Sequence, residues 1–583
     1  MRTPRLQSLY LQKPLTLIIL IATLSVLPWV GMGEYYTKGE PREASVAISM
    51  LKGEVILPYV YADEFAYKPP LMHWLTAAFS LPRGEVTPLT SRLPSALAFI
   101  VMVGVCFAFF GKKLRKGHEG FIACLVMITS FELHRAAMTS RVDMLLTAFM
   151  VIGMICLFFW EENKQLKGLP WYIPLLLGAA ALTKGPVGVI LPLLIFGIYL
   201  LILRYKFSVV VWKLTLMGIL SVIPLFIWYY LAYMKAGEEL IDLMWAENFG
   251  RFLGLKKLAI QYSLGHTFPR YYTIIYLLAG FLPWTLLLFF SLFGLKLSTK
   301  ILRTKDLSAQ ICSMNRVKLF SLIAAVTIFI FYCIPSGRRS VYLMPAYPFI
   351  AIFIAQYMLY LAEYKSKIFR FFSLFLTGLT GLATALCLLS ITGILKPYDI
   401  IAQFTQHSRT LHDVSLFTEA LSKPTFLYIL LLGVLLYSLG ASVYYLRRKN
   451  NLKLLYATFS IYFAFNLLLD GVALPAFKNG TSIKPFISEL KTKYDFKKEK
   501  VYVMNNLLEY DNLYGPNFYM GNIFRDFEAE QPESGFLMSF PANMAKMQEA
   551  YKGKYTFELV EESPDRYNDV RNVVQLYTIE KLQ

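Results

Sequence analysis

A multi-pass α-helical membrane protein with a small C-terminal α/β domain is the fold class this sequence predicts. Three observations carry the prediction. Of 583 residues, 56% are hydrophobic and 16% charged, where a soluble chain of this length holds roughly 25% charged residues and divides among several cores. Apolar runs close to the roughly 20 residues needed to cross a bilayer recur along the chain. Near residue 478 those runs stop and ordinary globular sequence follows.

Taken in order, about thirteen spans are expected, near 14–32, 93–111, 119–133, 142–160, 171–183, 186–203, 212–233, 272–295, 317–334, 342–361, 370–395, 424–446 and 454–476. Arg2, Arg5 and Lys13 precede the first run and no small-residue cleavage site follows it, so it reads as an uncleaved span. Alternate loops hold the basic runs Lys112-Lys113-Leu114-Arg115-Lys116 and Arg447-Arg448-Lys449, together with the long basic loop 296–318. Their Lys/Arg excess makes that side cytoplasmic. It also accounts for most of the net charge of +20 without nucleic acid as a partner. Membrane lipids are the expected surroundings. The six cysteines fall mostly in or beside apolar runs, a pattern that supports neither a disulfide framework nor a thiolate metal site.

The unusual polar clusters lie in the other set of loops, the outer side, and this one-sidedness favours an active site over a through-pathway. The first outer loop, 33–92, packs Glu34, Glu40, Arg42, Glu43, Asp63, Glu64 and Lys68 among prolines. Carboxylates held at a membrane surface without a partner are costly, so they mark a place to look for chemistry. Residues 44–51 and 71–81 have helical apolar spacing and read as amphipathic helices along the membrane surface. Glu40-Pro41 and Pro69-Pro70 stand at their entries, where proline suits the first turn.

A second cluster runs from Glu247-Asn248-Phe249-Gly250-Arg251-Phe252 through His266, Pro269-Arg270-Tyr271 and Phe281-Leu282-Pro283-Trp284. A third is Ser336-Gly337-Arg338-Arg339 followed by Tyr342. Paired guanidinium groups with a hydroxyl suit phosphate oxygens. Arg141-Val142-Asp143 reads as an architectural pair at the start of a span, and Thr183-Lys184-Gly185-Pro186 as a helical break at the outer surface. Beyond 478, strands are expected at 500–504 and 535–538 and a helix at 544–551. The domains expected are therefore 1–477, including loop 33–92, and 478–583. Outward carboxylates, phosphate-competent cations and a histidine near lipid suit an enzyme acting on a lipid-linked phosphate. No P-loop or dinucleotide glycine pattern is present to indicate a soluble nucleotide donor.

Gly39-Glu40-Pro41-Arg42-Glu43-Ala44, the Met50-Leu51-Lys52-Gly53 stretch and Tyr67-Lys68-Pro69-Pro70-Leu71 with Trp74 resemble the first periplasmic loop of the bacterial aminoarabinose transferase and protein O-mannosyltransferase superfamily. Arg141-Val142-Asp143, Leu182-Thr183-Lys184-Gly185, Trp245 with Glu247-Asn248 and Arg251-Phe252, Phe281-Leu282-Pro283-Trp284, and Ser336-Gly337-Arg338 with Tyr342 continue the series in the family's order, over roughly residues 30–350. The resemblance implies a GT-C fold glycosyltransferase of the bacterial inner membrane, with its active site and C-terminal domain periplasmic. It would move a sugar, with inversion, from a polyprenyl-phosphate carrier, expected to be undecaprenyl phosphate, to a lipid A-like lipid or to a protein.

The resemblance also implies roles. Glu40, accompanied by Arg42, falls on the acidic motif that orients or deprotonates the acceptor. Lys68 falls on the lysine that binds the leaving phosphate, assisted by Arg270, Arg338 and Tyr342. Asp143, Lys184, Glu247 and Arg251 would support the site. A divalent metal at His266 is the one cofactor implied, although Tyr67 stands where the family has an acid before the lysine. The rival class is a lipid-linked oligosaccharide flippase, which would show charges deep within spans and polar clusters on both faces.

Overall fold

The computed structural model describes residues 13–61, 64–66, 68–113, 117–245, 268–294, 314–335, 337–496, 498–504 and 513–582. Its chain forms two compact units. The first comprises Met1–Trp29, Ser95–Pro397 and Thr418–Val472; the second comprises Val30–Pro94, Tyr398–Phe417 and Ala473–Gln583. The loop 33–92, expected with the membrane spans, thus groups with the C-terminal residues.

The first unit is helical. Among the described residues, eight helices are long and apolar enough to cross a membrane, and up to ten if each of two bent pairs is one span. The bent pairs are His118–Thr129 with Phe131–Ala137, at 63°, and Tyr272–Gly280 with Trp284–Leu292, at 110°. Three further apolar helices are shorter: Pro14–Val26, Tyr172–Lys184 and Val187–Ile202. Every apolar run read from the sequence corresponds to one of these elements. Large apolar side chains such as Trp212, Phe226, Leu379 and Ile429 stand exposed on the long helices, as lipid-facing surfaces require. The expected break at Thr183-Lys184-Gly185-Pro186 separates two helices, and Gly185 takes φ +92, a conformation that suits glycine.

Close approach decides another glycine in this unit. A Cβ on Gly280 would run into the hydroxyl of Tyr347, with the Tyr347 ring and the Glu132 side chain next nearest. The Tyr347 ring cannot swing aside easily, because it is fully buried and stacks on Phe281 with centroids 4.2 Å apart.

The second unit is built on a five-stranded sheet: β1 (Val501–Val503), β2 (Arg525–Asp526), β3 (Ser534–Ser539), β4 (Tyr555–Glu562) and β5 (Gln575–Lys581). Their order is β2-β1-β3-β5-β4, with β1 parallel to β2 and β3 and the other pairs antiparallel. Side chains alternate across a strand, so this sheet has two cores. Val501, Val503, Phe536 and Met538 face one, while Tyr502 and Leu537 face the other with Met544 and Met547 of helix Pro541–Ala550.

The first core contains more than C-terminal residues. Val46, Met50, Val60 and Tyr61 from the first loop pack in it with Ile487 and Phe524. The amides of Asn517 and Asn522 donate to the backbone carbonyls of Val60 (2.9 Å) and Ser45 (3.2 Å). Helix Gly39–Leu51 is therefore enclosed by protein over most of its length, with Glu40 through Ala47 all buried. Helical apolar spacing marks a face to be covered; here protein covers it.

Asp569 braces the loop between β4 and β5. Its carboxylate accepts from the backbone N–H of Ile483 and the hydroxyl of Ser482, each at 3.3 Å. Burial pushes this carboxyl up to about 7, against the pull of those donors.

Two predictions follow from this packing. Gly280→Ala should destabilise by about 1–3 kcal/mol through overpacking, and a Tyr347→Phe background should return part of the loss, measured by thermal unfolding in detergent. For Asp569 the folded group holds its proton more tightly than the unfolded one, whose pKa is about 4. Its contribution to stability is then full below about 4 and is lost as pH rises through the folded value. Asp569→Asn should flatten that part of the melting temperature's decline between about pH 4 and 8.

Candidate active site

Chemistry-bearing side chains in the second unit gather around helix Gly39–Leu51. The helix begins at Gly39 with Pro41 in its first turn, and it places Glu40 and Glu43 one turn apart on the same side. Glu40 is 1% exposed and accepts from Nε of Arg92 at 2.8 Å. Arg92 is equally buried, and its remaining nitrogens donate to the carbonyls of Val30 (3.1 Å), Gly33 (2.6 Å) and Glu34 (3.0 Å). Its guanidinium also lies over the Tyr35 ring, 5.3 Å from the centroid. Glu40, expected beside the acceptor, is thus engaged in a buried ion pair. Arg42 is also buried and lies over the ring of Tyr514 at 5.6 Å.

Glu43 is the carboxylate that meets the expected phosphate lysine. One oxygen is ion-paired with Nζ of Lys68, and the other is 2.8 Å from Nε2 of His73. Burial by itself would raise the Glu43 carboxyl, but Lys68, and then His73, hold it well below the usual carboxylate range. Lys68 precedes Pro69, which favours an extended backbone there, and helix Leu71–Ser80 begins directly after Pro70. That helix carries His73 into the same cluster. Lys68 keeps 21% of its side chain exposed while Glu43 is sealed at 4%, so the cation is the member open to a ligand.

The first unit assembles a second cluster from expected residues. Asp143 stands in the first turn of helix Val142–Lys164, and Lys184 in the last turn of Tyr172–Lys184. Those positions complement the helix dipoles, and the two side chains form an ion pair. Nζ of Lys184 also lies 4.5 Å from the ring centroid of Tyr342. Arg338 is buried and donates to the backbone carbonyls of Phe268 and Cys333, which pins the loop leading to Arg270. Arg270 itself is exposed. The Phe281-Leu282-Pro283-Trp284 motif packs: besides the Phe281–Tyr347 stack, Trp284 is buried and donates to Thr129 at 3.0 Å.

Several residues escaped the sequence reading. Glu132, just after the bend at Ser130, accepts from Arg135 (2.7 Å) and from the hydroxyl of Ser340 (2.9 Å). Nε2 of His134 is 2.6 Å from Asp470, an acid inside the last apolar run. The lone charges Glu132 and Asp470 in apolar surroundings were the available signal. Glu43 and His73 lie beside Glu40 and Lys68 in sequence, and only the fold shows that they pair. Glu247, Arg251, His266 and Tyr67 lie outside the described residues. Among the described residues no three His, Cys, Asp or Glu side chains come together to hold a metal, and no step is derived through one.

Residues 67–228 match the dolichyl-phosphate-mannose-protein mannosyltransferase family. An uncharacterized protein of Aquifex aeolicus (strain VF5) is 27% identical over 354 residues, 59% of this chain and 63% of that one. The undecaprenyl phosphate-alpha-4-amino-4-deoxy-L-arabinose arabinosyl transferase 2 of Proteus mirabilis (strain HI4320) is 24% identical over 341 residues, 57% of each chain. The match thus spans about three fifths of the length of these relatives. The crystal structure of ArnT from Cupriavidus metallidurans bound to undecaprenyl phosphate superposes with a TM-score of 0.65 at 16% identity, covering 96% of this chain and 97% of that one. At that identity the likeness is one of fold. Ordered motifs, similar relatives and a shared architecture agree: this membrane protein is similar to the aminoarabinose transferases and shares the GT-C fold of the ArnT structure.

Proposed function

We propose that the protein is a glycosyltransferase that moves a sugar from a polyprenyl-phosphate carrier, undecaprenyl phosphate, to a phosphate oxygen of a lipid A-like acceptor at the periplasmic face of the inner membrane. The observation that carries the reading is Lys68, a partly exposed cation in the family's lysine motif, held in place by the buried Glu43–His73 pair. In the proposed reaction the bond between the sugar's anomeric carbon and the carrier phosphate breaks, and its electron pair leaves with the phosphate oxygen. Lys68 neutralises that developing charge. The acceptor oxygen attacks from the opposite side, which inverts the anomeric centre.

The carboxylates favour a phosphate acceptor over a hydroxyl. A hydroxyl must lose a proton in the transition state, and a good base has a pKa near the operating pH. Glu43 is held far below that range, and Glu40 is occupied by Arg92. A phosphate oxygen has no proton to give up and needs neither. On this reading Glu43 positions Lys68, and Glu40 holds the loop in shape through Arg92.

The test gives purified protein in nanodiscs a panel of undecaprenyl-phosphate sugars and a phosphorylated lipid A precursor, with product read by mass spectrometry. Transfer should occur to the phosphorylated acceptor and fail on the dephosphorylated one; no binding or turnover of any carrier would sink the proposal. Lys68→Met should lose about 10²–10³ in kcat, the cost of removing one donor to a developing oxyanion, measured on the folded fraction because it also leaves the buried Glu43 without its cation and should lower the melting temperature. Glu40→Gln should act through stability instead, by about 3–5 kcal/mol, because it leaves Arg92 buried without its partner. Adding Arg92→Met should recover part of that loss, read by thermal unfolding.

A further inference from the structure

Away from both clusters, the second unit has a pocket of about 240 Å³ lined by Tyr36, Arg409, Arg566, Asn568 and Arg571. We propose that this pocket is a binding site for a phosphate oxyanion, a phosphomonoester or diphosphate. The inference is independent of the reaction proposed above.

Three guanidinium groups around one small pocket repel one another, and a fold normally relieves such crowding with carboxylates. None of these three forms an ion pair among the described residues. Their contacts are framework contacts instead. Arg409 donates to the side-chain oxygen of Asn568 at 2.5 Å, and Nε of Arg566 donates to the backbone carbonyl of Arg571 at 2.5 Å. Asn568 is 8% exposed, and its backbone N–H is held by the carbonyl of Thr481 at 3.0 Å.

The loop carrying Arg566 and Arg571 is braced at both ends. Ser563 and Val574 exchange backbone and hydroxyl hydrogen bonds at 2.8 and 2.9 Å, and Asp569 anchors the middle to Ser482 and Ile483. Arg571 takes φ +68, a conformation seldom adopted by a residue with a side chain. Its N–H is fixed to the carbonyl of Tyr567 at 2.6 Å. Arg409 comes from a different stretch, at the start of helix Ser408–Ser422. The fold therefore uses rigid structure to keep three cations together, none of them ion-paired with a carboxylate among the described residues. Guanidinium forks match the paired oxygens of phosphate, and Tyr36 also lines the pocket.

The experiment uses the full-length protein in detergent, with binding of inorganic phosphate and pyrophosphate followed by calorimetry. In parallel, capture is measured on vesicles of phosphatidylcholine alone and on vesicles with added phosphatidic acid, which carries a phosphomonoester. The variants are Arg566→Gln and Arg571→Gln, both at exposed positions, and Arg409→Gln. Each should weaken binding by about tenfold, as expected for losing a charge-assisted hydrogen bond. Arg566→Lys should fall between the wild type and Arg566→Gln, and added salt should weaken binding throughout. Arginine-dependent binding of the soluble anions supports the site with a free phosphate as its source. Arginine-dependent capture only on phosphatidic acid vesicles supports it with a lipid headgroup as its source. Failure of both probes to bind, or binding unchanged in all three Gln variants with melting intact, overturns it.

Discussion

Arg92 is the constraint on which the candidate site depends. A guanidinium removed from water must find a partner for each of its donors, or the fold bears several kcal/mol for the omission. Here Glu40 takes one, and the carbonyls of Val30, Gly33 and Glu34 take three more. Satisfying this one side chain determines the path of the chain from residue 30 to the first turn of helix Gly39–Leu51. Once that turn is set, Glu43 follows on the same side one turn later. Lys68 and His73 then have a fixed carboxylate to meet.

The same economy runs through the apolar first unit. Charges in apolar surroundings are tolerated when they are paired and hydrogen-bonded. Asp143 has Lys184, Glu132 has Arg135 and Ser340, and Asp470 has His134. Pairing makes each of these groups a tie between helices as much as a candidate for chemistry. Lys68 and Glu43 follow the same rule, with the carboxylate sealed and the cation partly open, as Arg135 is beside Glu132.

The bends and breaks have local causes, and most could be read in advance. Gly185-Pro186 ends one apolar helix and begins the next. Strands β1 and β3 occupy the short apolar runs expected of them. The candidate set Asp143, Lys184 and Tyr342 was named from motifs, and the fold brings it together. The ion pair of Glu40 with Arg92 had no local sign. Arg92 sits in a stretch that reads as the start of a span, and nothing in its neighbours tells which acid it will meet. Asp470 stands out as one carboxylate in a long apolar run, but nothing near it in sequence names its partner His134.

Composition and the spacing of apolar runs by themselves determined that this chain crosses a membrane many times and ends in a small α/β domain, because bilayer thickness and strand periodicity act residue by residue. The ordered motifs pointed to the fold that the structure has. Tertiary structure alone decided that the loop 33–92 shares a core with the C-terminal residues, and that Glu43 rather than Glu40 stands against Lys68. Those outcomes depend on which buried polar group finds which partner. Pairings between residues far apart in sequence are settled by packing, and no short stretch of chain records them.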